Sequence, residues 1–223
     1  MAIDHNDTTA LIEAMDEWFD ILRANLNEPI PLKPASQSQL DRLAEVAGVD
    51  LPPDVIALYE YTNGAWVDDE IPLRRTVFLP SGGLFYQLPE DETGWRSWYS
   101  MAQSWRGIEM TGNAFDDVLS DSWTQVVPVL HFEGGHELAV FAAESHYQAV
   151  ACVSVNGMHW VERRLADVFL NAIEMENRGL FDWNFPPEAG WLQVSKSLGA
   201  AQAGAGVPWN PDHYETYRGW IWE

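Results

Sequence analysis

Cysteine occurs once in the 223-residue chain, at Cys152, so no disulfide can form within it. The apolar run around Cys152 predicts a small buried hydrophobe and not a nucleophile. Lysine is almost as scarce. Lys33 and Lys196 belong to a set of 12 basic residues facing 34 acidic ones, which leaves a formal charge of −22. A surface that acidic repels DNA, RNA and anionic membranes and favours cationic partners. No apolar run approaches the length of a membrane span, and Asp4, Asp7 and Glu13 interrupt any signal-like segment near the start. The expected compartment is the cytoplasm. No repeat of 20–50 residues is visible. The G-x-S-x-G elbow, the phosphate-cradling P-loop and the G-x-G-x-x-G turn are all missing, so the familiar templates for acyl transfer and nucleotide chemistry do not apply.

What is present is apolar and aromatic. Hydrophobic residues make up 47% of the chain and 12 of them are tryptophan, enough to bury a sizeable core despite the charge. One cluster could ligate a metal: His131, Glu133, His136 and Glu137 place two imidazoles and two carboxylates close together in sequence. The glycines Gly134 and Gly135 between them make an ordinary polar turn the better reading. No H-E-x-x-H spacing is present. The expectation is therefore no metal, no cofactor and no catalysis.

In chain order, a first helix follows a cap at Thr8 or Thr9, with Leu11, Met15, Trp18, Phe19, Leu22 and Leu26 along one face. The acids Glu13, Asp16, Glu17 and Asp20 lie mainly opposite, those of the first half suiting the positive end of the helix dipole. A second helix starts at Ser36 or Ser38 and stops at Gly48. Pro53 opens a third, which Asn63-Gly64 closes. Short strands are predicted at Ala65–Val67, Thr76–Leu79 and Leu84–Leu88, followed by a helix carrying Trp95, Trp98, Tyr99, Ala102, Trp105 and Ile108. Residues 109–122 read as an exposed loop. Strands follow at Val126–Leu130, Leu138–Phe141, Ala149–Val155 and Met158–Val161, the last two joined by an Asn156-Gly157 hairpin. A closing helix runs from Leu165 to Ile173. Helices, then meandering strands, then a helix indicate the α+β class.

The combination of Glu45, Gly48, Leu51-Pro52, Asp54 and Asn63-Gly64 resembles the N-terminal signature of the SUKH superfamily. The resemblance continues through Trp123, Val127-Pro128-Val129, Gly134-Gly135 and Ala151-Cys152-Val153 to the closing helix, covering about residues 30–182. That superfamily includes Smi/Knr-like regulators of cell-wall assembly and many bacterial immunity proteins. The resemblance implies a single domain over residues 1–182, with a helical N-terminal part, a mostly antiparallel central sheet and a closing helix. Residues 183–223 form an extension. Its Gly/Ala-rich stretch 199–206 has linker composition, and Trp209, Tyr214, Tyr217, Trp220 and Trp222 are expected to bring its end back onto the domain.

The resemblance also implies non-catalytic protein binding, in the immunity version by neutralising a toxin domain. A nuclease toxin is commonly basic, which suits an acidic binder. A scaffold of the cell-wall-regulator type is the first alternative, and a metal-dependent hydrolase using the histidine-rich turn is the second. Binding residues concentrate in loops. The candidates are accordingly three acidic groups: Asp68, Asp69 and Glu70; Glu90, Asp91 and Glu92; and Asp116, Asp117 and Asp121.

Overall fold

The computed structural model describes residues 7–26, 32–63, 84–96, 98, 126–132, 136–142, 147–154, 157–162, 164–179, 181–182 and 193–194. Helix α1 spans Thr9–Leu26, α2 Gln37–Ala47 and α3 Pro53–Tyr61. The sheet strands are β1 (Leu84–Phe85), β2 (Val126–Phe132), β3 (His136–Phe141), β4 (Val150–Ser154) and β5 (Gly157–Glu162), and α4 covers Leu165–Asn177. The five strands form one sheet in the order β1-β2-β3-β4-β5, every neighbouring pair antiparallel. The chain is α+β. No described helix is long and apolar enough to cross a membrane.

The helix pair after Leu32 forms for local reasons. Ser36 caps α2 reciprocally with Gln39: the Gln39 N–H donates to Ser36 Oγ at 3.3 Å, and the Ser36 N–H donates to Gln39 Oε1 at 2.9 Å. At the other end Gly48 takes φ +67°, and its N–H and that of Val49 both reach Ala44 O. A side chain there would be strained, which is why glycine ends the helix. Pro53 occupies the first position of α3, where its missing N–H costs no helical bond. The far end of α3 differs from the sequence expectation. Thr62 leaves the helix in extended conformation, φ −158°, and Asn63 is used for something other than closing it.

The Asn63 carboxamide acts as a strand partner. Its Oδ1 accepts from the Leu88 N–H at 2.6 Å and its Nδ2 donates to Leu88 O at 3.1 Å. Gln39 Nε2 also donates to Leu88 O, at 2.8 Å, and the Asn63 N–H donates to Lys33 O at 2.6 Å. The predicted strand Leu84–Leu88 is therefore cut short. Only Leu84 and Phe85 lie in the ladder against β2, and Leu88 finds its partners on the helices. Tyr59 joins the same seam, donating its buried hydroxyl to Tyr86 O at 2.9 Å with its ring 5.1 Å from that of Phe85.

One core joins the helices to the sheet. Leu11, Met15, Trp18, Phe19 and Leu22 of α1 are buried against Val168, Phe169, Ala172 and Ile173 of α4, and the cluster continues into Val127, Leu130, Leu138 and Val140. Fully burying each large side chain contributes about 1.5–3 kcal/mol before entropy is counted. Along β3 the alternate residues Ala139 and Phe141 are buried too, so that strand is covered on both faces. Pro128 is tolerated in an interior strand because the register shifts between it and Leu130, leaving the ladder irregular where its N–H would be needed.

The hairpin between β4 and β5 forms one residue away from its predicted position. Gly157 pairs with Ser154 inside the ladder instead of standing in the turn. A separate two-stranded ladder joins β6 (Phe181–Asp182) to β7 (Gln193–Val194), across the proposed boundary at 182/183. The strands predicted at Ala65–Val67 and Thr76–Leu79, the helix beyond Trp98, the loop 109–122 and the aromatic residues after Gly206 lie outside the described residues, as does the Cys152 side chain. Replacing Asn63 with alanine would leave the Leu88 N–H without its partner at a part-buried site. The expected loss is about 1–3 kcal/mol, read as a lower urea midpoint with an unchanged m-value.

Candidate functional site

Of the acids predicted to bind, three are described. Glu90, Asp91 and Glu92 all lie on the exposed turn after Leu88. Asp91 opens the helical turn at 92–96. Its Oδ1 accepts from the Gly94 N–H at 2.7 Å, and its carbonyl accepts from the Trp95 N–H at 3.2 Å. Glu92 lies 3.5 Å from Arg42 Nη2, while Arg42 Nη1 reaches Glu45 at 2.6 Å. Arg42 is thereby held above its usual basicity, first by the Glu45 hydrogen bond. Two of the three acids thus have structural partners, and Glu90 is left as solvent-facing charge. Asp68, Asp69, Glu70, Asp116, Asp117 and Asp121 lie outside the described residues.

The sheet register fixes the backbone positions of the two histidines beside the predicted turn. His131 stands opposite Glu137 and His136 opposite Phe132, so the two histidines hold positions of opposite parity across the β2–β3 hairpin. Glu133 lies outside the described residues. Among the described residues no group of three His, Cys, Asp or Glu could hold a metal ion.

The strongest polar constellation involves residues that loop composition does not point to. Asp54, in the first turn of α3, is fully buried. Its carboxylate receives Arg164 Nη2 at 2.6 Å, Arg164 Nε at 2.8 Å and, at 3.4 Å, the Leu165 N–H that begins α4. The fork of the guanidinium matches the two carboxylate oxygens, which gives a bidentate pair. Arg164 Nη2 also donates to Asp7 O at 3.2 Å, just before α1. Asp7 in turn accepts from the Thr9 N–H at 3.0 Å, and Asp167 Oδ2 accepts from the Arg164 N–H at 3.1 Å. The starts of α1, α3 and α4 therefore meet at one guanidinium.

Charge states in this cluster follow from these contacts. The Asp54 hydrogen bond raises Arg164 above its ordinary pKa, against partial desolvation. Asp7 is lowered, first by the Thr9 backbone N–H. Tyr147, near Asp50, Asp54 and Arg164, is raised, first by burial and then by those carboxylates. A raised phenol stays protonated at neutral pH, and the Asp54 carboxylate is occupied by two guanidinium donors and the Leu165 N–H. The arrangement is suited to locking the three helix starts together.

Acids of another kind line the solvent side of α1, where Glu13, Asp16, Glu17 and Asp20 are all exposed. The first turn of α1 contains no acid, so the dipole there is served by Asp7, and the expectation that the helix's own acids fill that role is corrected. Asp16 accepts from the Tyr61 hydroxyl at 2.7 Å, and the Tyr61 ring lies 5.7 Å from Phe19. Burial, with Asp16 second, pushes Tyr61 well above the ordinary phenol range.

Comparison with known proteins adds no assignment to this geometry: no family model matches the chain, and no curated protein matches it.

Substituting Arg164 with methionine leaves Asp54 buried and without its cation, and substituting Asp54 with asparagine strands the cation. Either change should cost about 3–5 kcal/mol in chemical denaturation. Asp7 supplies the pH dependence. A carboxylate held below its unfolded pKa of about 3.9 stabilises the fold above that value and loses its contribution as pH falls through the lower folded value. Asp7→Asn should therefore flatten the stability–pH curve below about pH 4, as measured by melting temperature across an acid series.

Proposed function

We propose that this protein is a non-catalytic binding module whose partner is a cationic protein, and that it acts as an immunity protein by occupying a basic toxin domain. The charge of −22 is the observation that carries this reading. Acids outnumber bases almost three to one, and the exposed acids of α1 belong to an ordered helix. Supporting it are the SUKH-like pattern over residues 30–182 and the absence of recognisable catalytic spacing in the sequence. A basic nuclease domain is the partner chemistry that such a field suits, because surfaces that bind phosphate are themselves positive.

An exposed ion pair contributes only about 0–1 kcal/mol, so affinity must come from an apolar or aromatic centre, with the acids speeding encounter and rejecting anionic competitors. Stopped-flow association with a basic nuclease toxin domain, measured across a salt series, tests the reading. Association should slow steeply between low and physiological ionic strength while dissociation changes little. A flat salt dependence, or no complex at all, would reduce the charge to a solubility device.

A further inference from the structure

We infer that the outer edge of β5 (Gly157–Glu162) is a strand-addition site, and that its occupant is the segment Tyr214–Trp222 of the same chain, laid along it as a further strand of the sheet. The site is independent of the acidic surface and of the partner that surface suits.

The two edges of the sheet are treated differently. An edge strand leaves the N–H and C=O of alternate residues without a ladder partner, and folded proteins cover such rows or blunt them with proline, lysine or a bulge. Past β1 the backbone is covered by helices: Tyr59 donates to Tyr86 O, and Asn63 takes both the N–H and the C=O of Leu88. At the other edge β5 pairs with β4 and, among the described residues, with no strand beyond it. Its sequence contains no proline, lysine or arginine. The register shifts only near its end, opposite Val150 and Ala151, so Gly157–Trp160 is unbroken ladder. A regular edge of that kind is a template for another strand.

Composition and chain path select the occupant. Six of the nine residues Tyr214–Trp222 are Tyr, Thr, Trp or Ile, the types that strands favour. The prolines after Val194 are Pro208 and Pro211, so every N–H of the segment is available to a ladder. The path also fits. α4 begins at Leu165, just after β5, and Phe181 beyond its end pairs with Val194. Val194 is therefore at most about 50 Å from the end of β5, and the connection 195–213 can span about 60 Å. A tether of that length holds the segment near the edge at an effective concentration of about millimolar. Residues up to 83 lead instead into β1, about 19 Å away across the sheet. A second copy of this chain brings the same −22 and is repelled.

The test is residue-resolved amide hydrogen exchange on the full chain. In the wild type, the β5 amides that do not bond to β4 and those of Tyr214–Trp222 should both be protected. The variant Arg218→Pro/Ile221→Pro places prolines at positions of opposite parity, so at least one removes an N–H directed at β5 whichever way the segment faces. Protection should then fall by about tenfold or more in both segments while β2 and β3 keep theirs. The control Arg218→Thr/Ile221→Val retains every N–H and should exchange as the wild type does. Outward β5 amides that exchange freely in the wild type would show an open edge and overturn the assignment. Protection of β5 that survives the prolines would give the edge to another segment, and protection that rises with protein concentration would give it to a second copy. An equal fall through β2 and β3 would make the segment part of the core and not an added strand.

Discussion

A single guanidinium at the start of α4 holds three helices in place. Each helix carries about half a positive charge at its N-terminus, and α1, α3 and α4 bring theirs together. Tyr61, at the end of α3, reaches Asp16 midway along α1, while Asp54, at the start of α3, shares Arg164 with the chain just before α1. The two helices therefore run in the same direction, and aligned dipoles repel. Three acids resolve the conflict: Asp7 before α1, Asp54 in the first turn of α3 and Asp167 in the first turn of α4. Arg164 then neutralises the acids against one another. Without it, Asp54 would be a buried anion with two helix starts as its sole compensation.

From that corner the helices are carried to the sheet by apolar burial and by a second polar seam. Asn63, Gln39 and Tyr59 satisfy the Leu88 backbone and the Tyr86 carbonyl, just past the last bond to β2, from the Tyr86 N–H to Val129 O. The seam fixes the turn that carries Glu90, Asp91 and Glu92. The acids there are held by the fold's own needs, Asp91 as a cap and Glu92 beside Arg42. On α1, likewise, Asp16 accepts from the Tyr61 hydroxyl and Asp20 pairs with Arg23, while Glu13 and Glu17 are exposed.

Features closed by short-range contacts were legible in the sequence. Ser36 with Gln39, Gly48 and Pro53 each act within a few residues, and the apolar periodicity of α1 and α4 identified the faces that are buried. The alternating runs gave β2 to β5, although the Asn156-Gly157 pair placed the hairpin one residue late, because turn propensity does not fix which pair of residues closes the ladder. Long-range contacts left no periodic trace. Asp54 and Arg164 are separated by 110 residues, and each looks ordinary alone, an acid in a first turn and a basic residue before a helix. Asn63 read as a helix stop because its local propensity is for turns, while its carboxamide serves as a strand partner for Leu88. The loop acids were singled out by composition, which counts charges without showing which are already engaged.

The polar corner anchors α1 by its start, where Arg164 reaches the Asp7 carbonyl. Native-state hydrogen exchange on the Arg164→Met variant at neutral pH tests this most directly. If one guanidinium holds three helix starts, protection should fall together at backbone amides in the opening turns of α1, α3 and α4, while strands β2 and β3 keep their relative order. A loss confined to α4, with α1 and α3 protected as in the wild type, would contradict it.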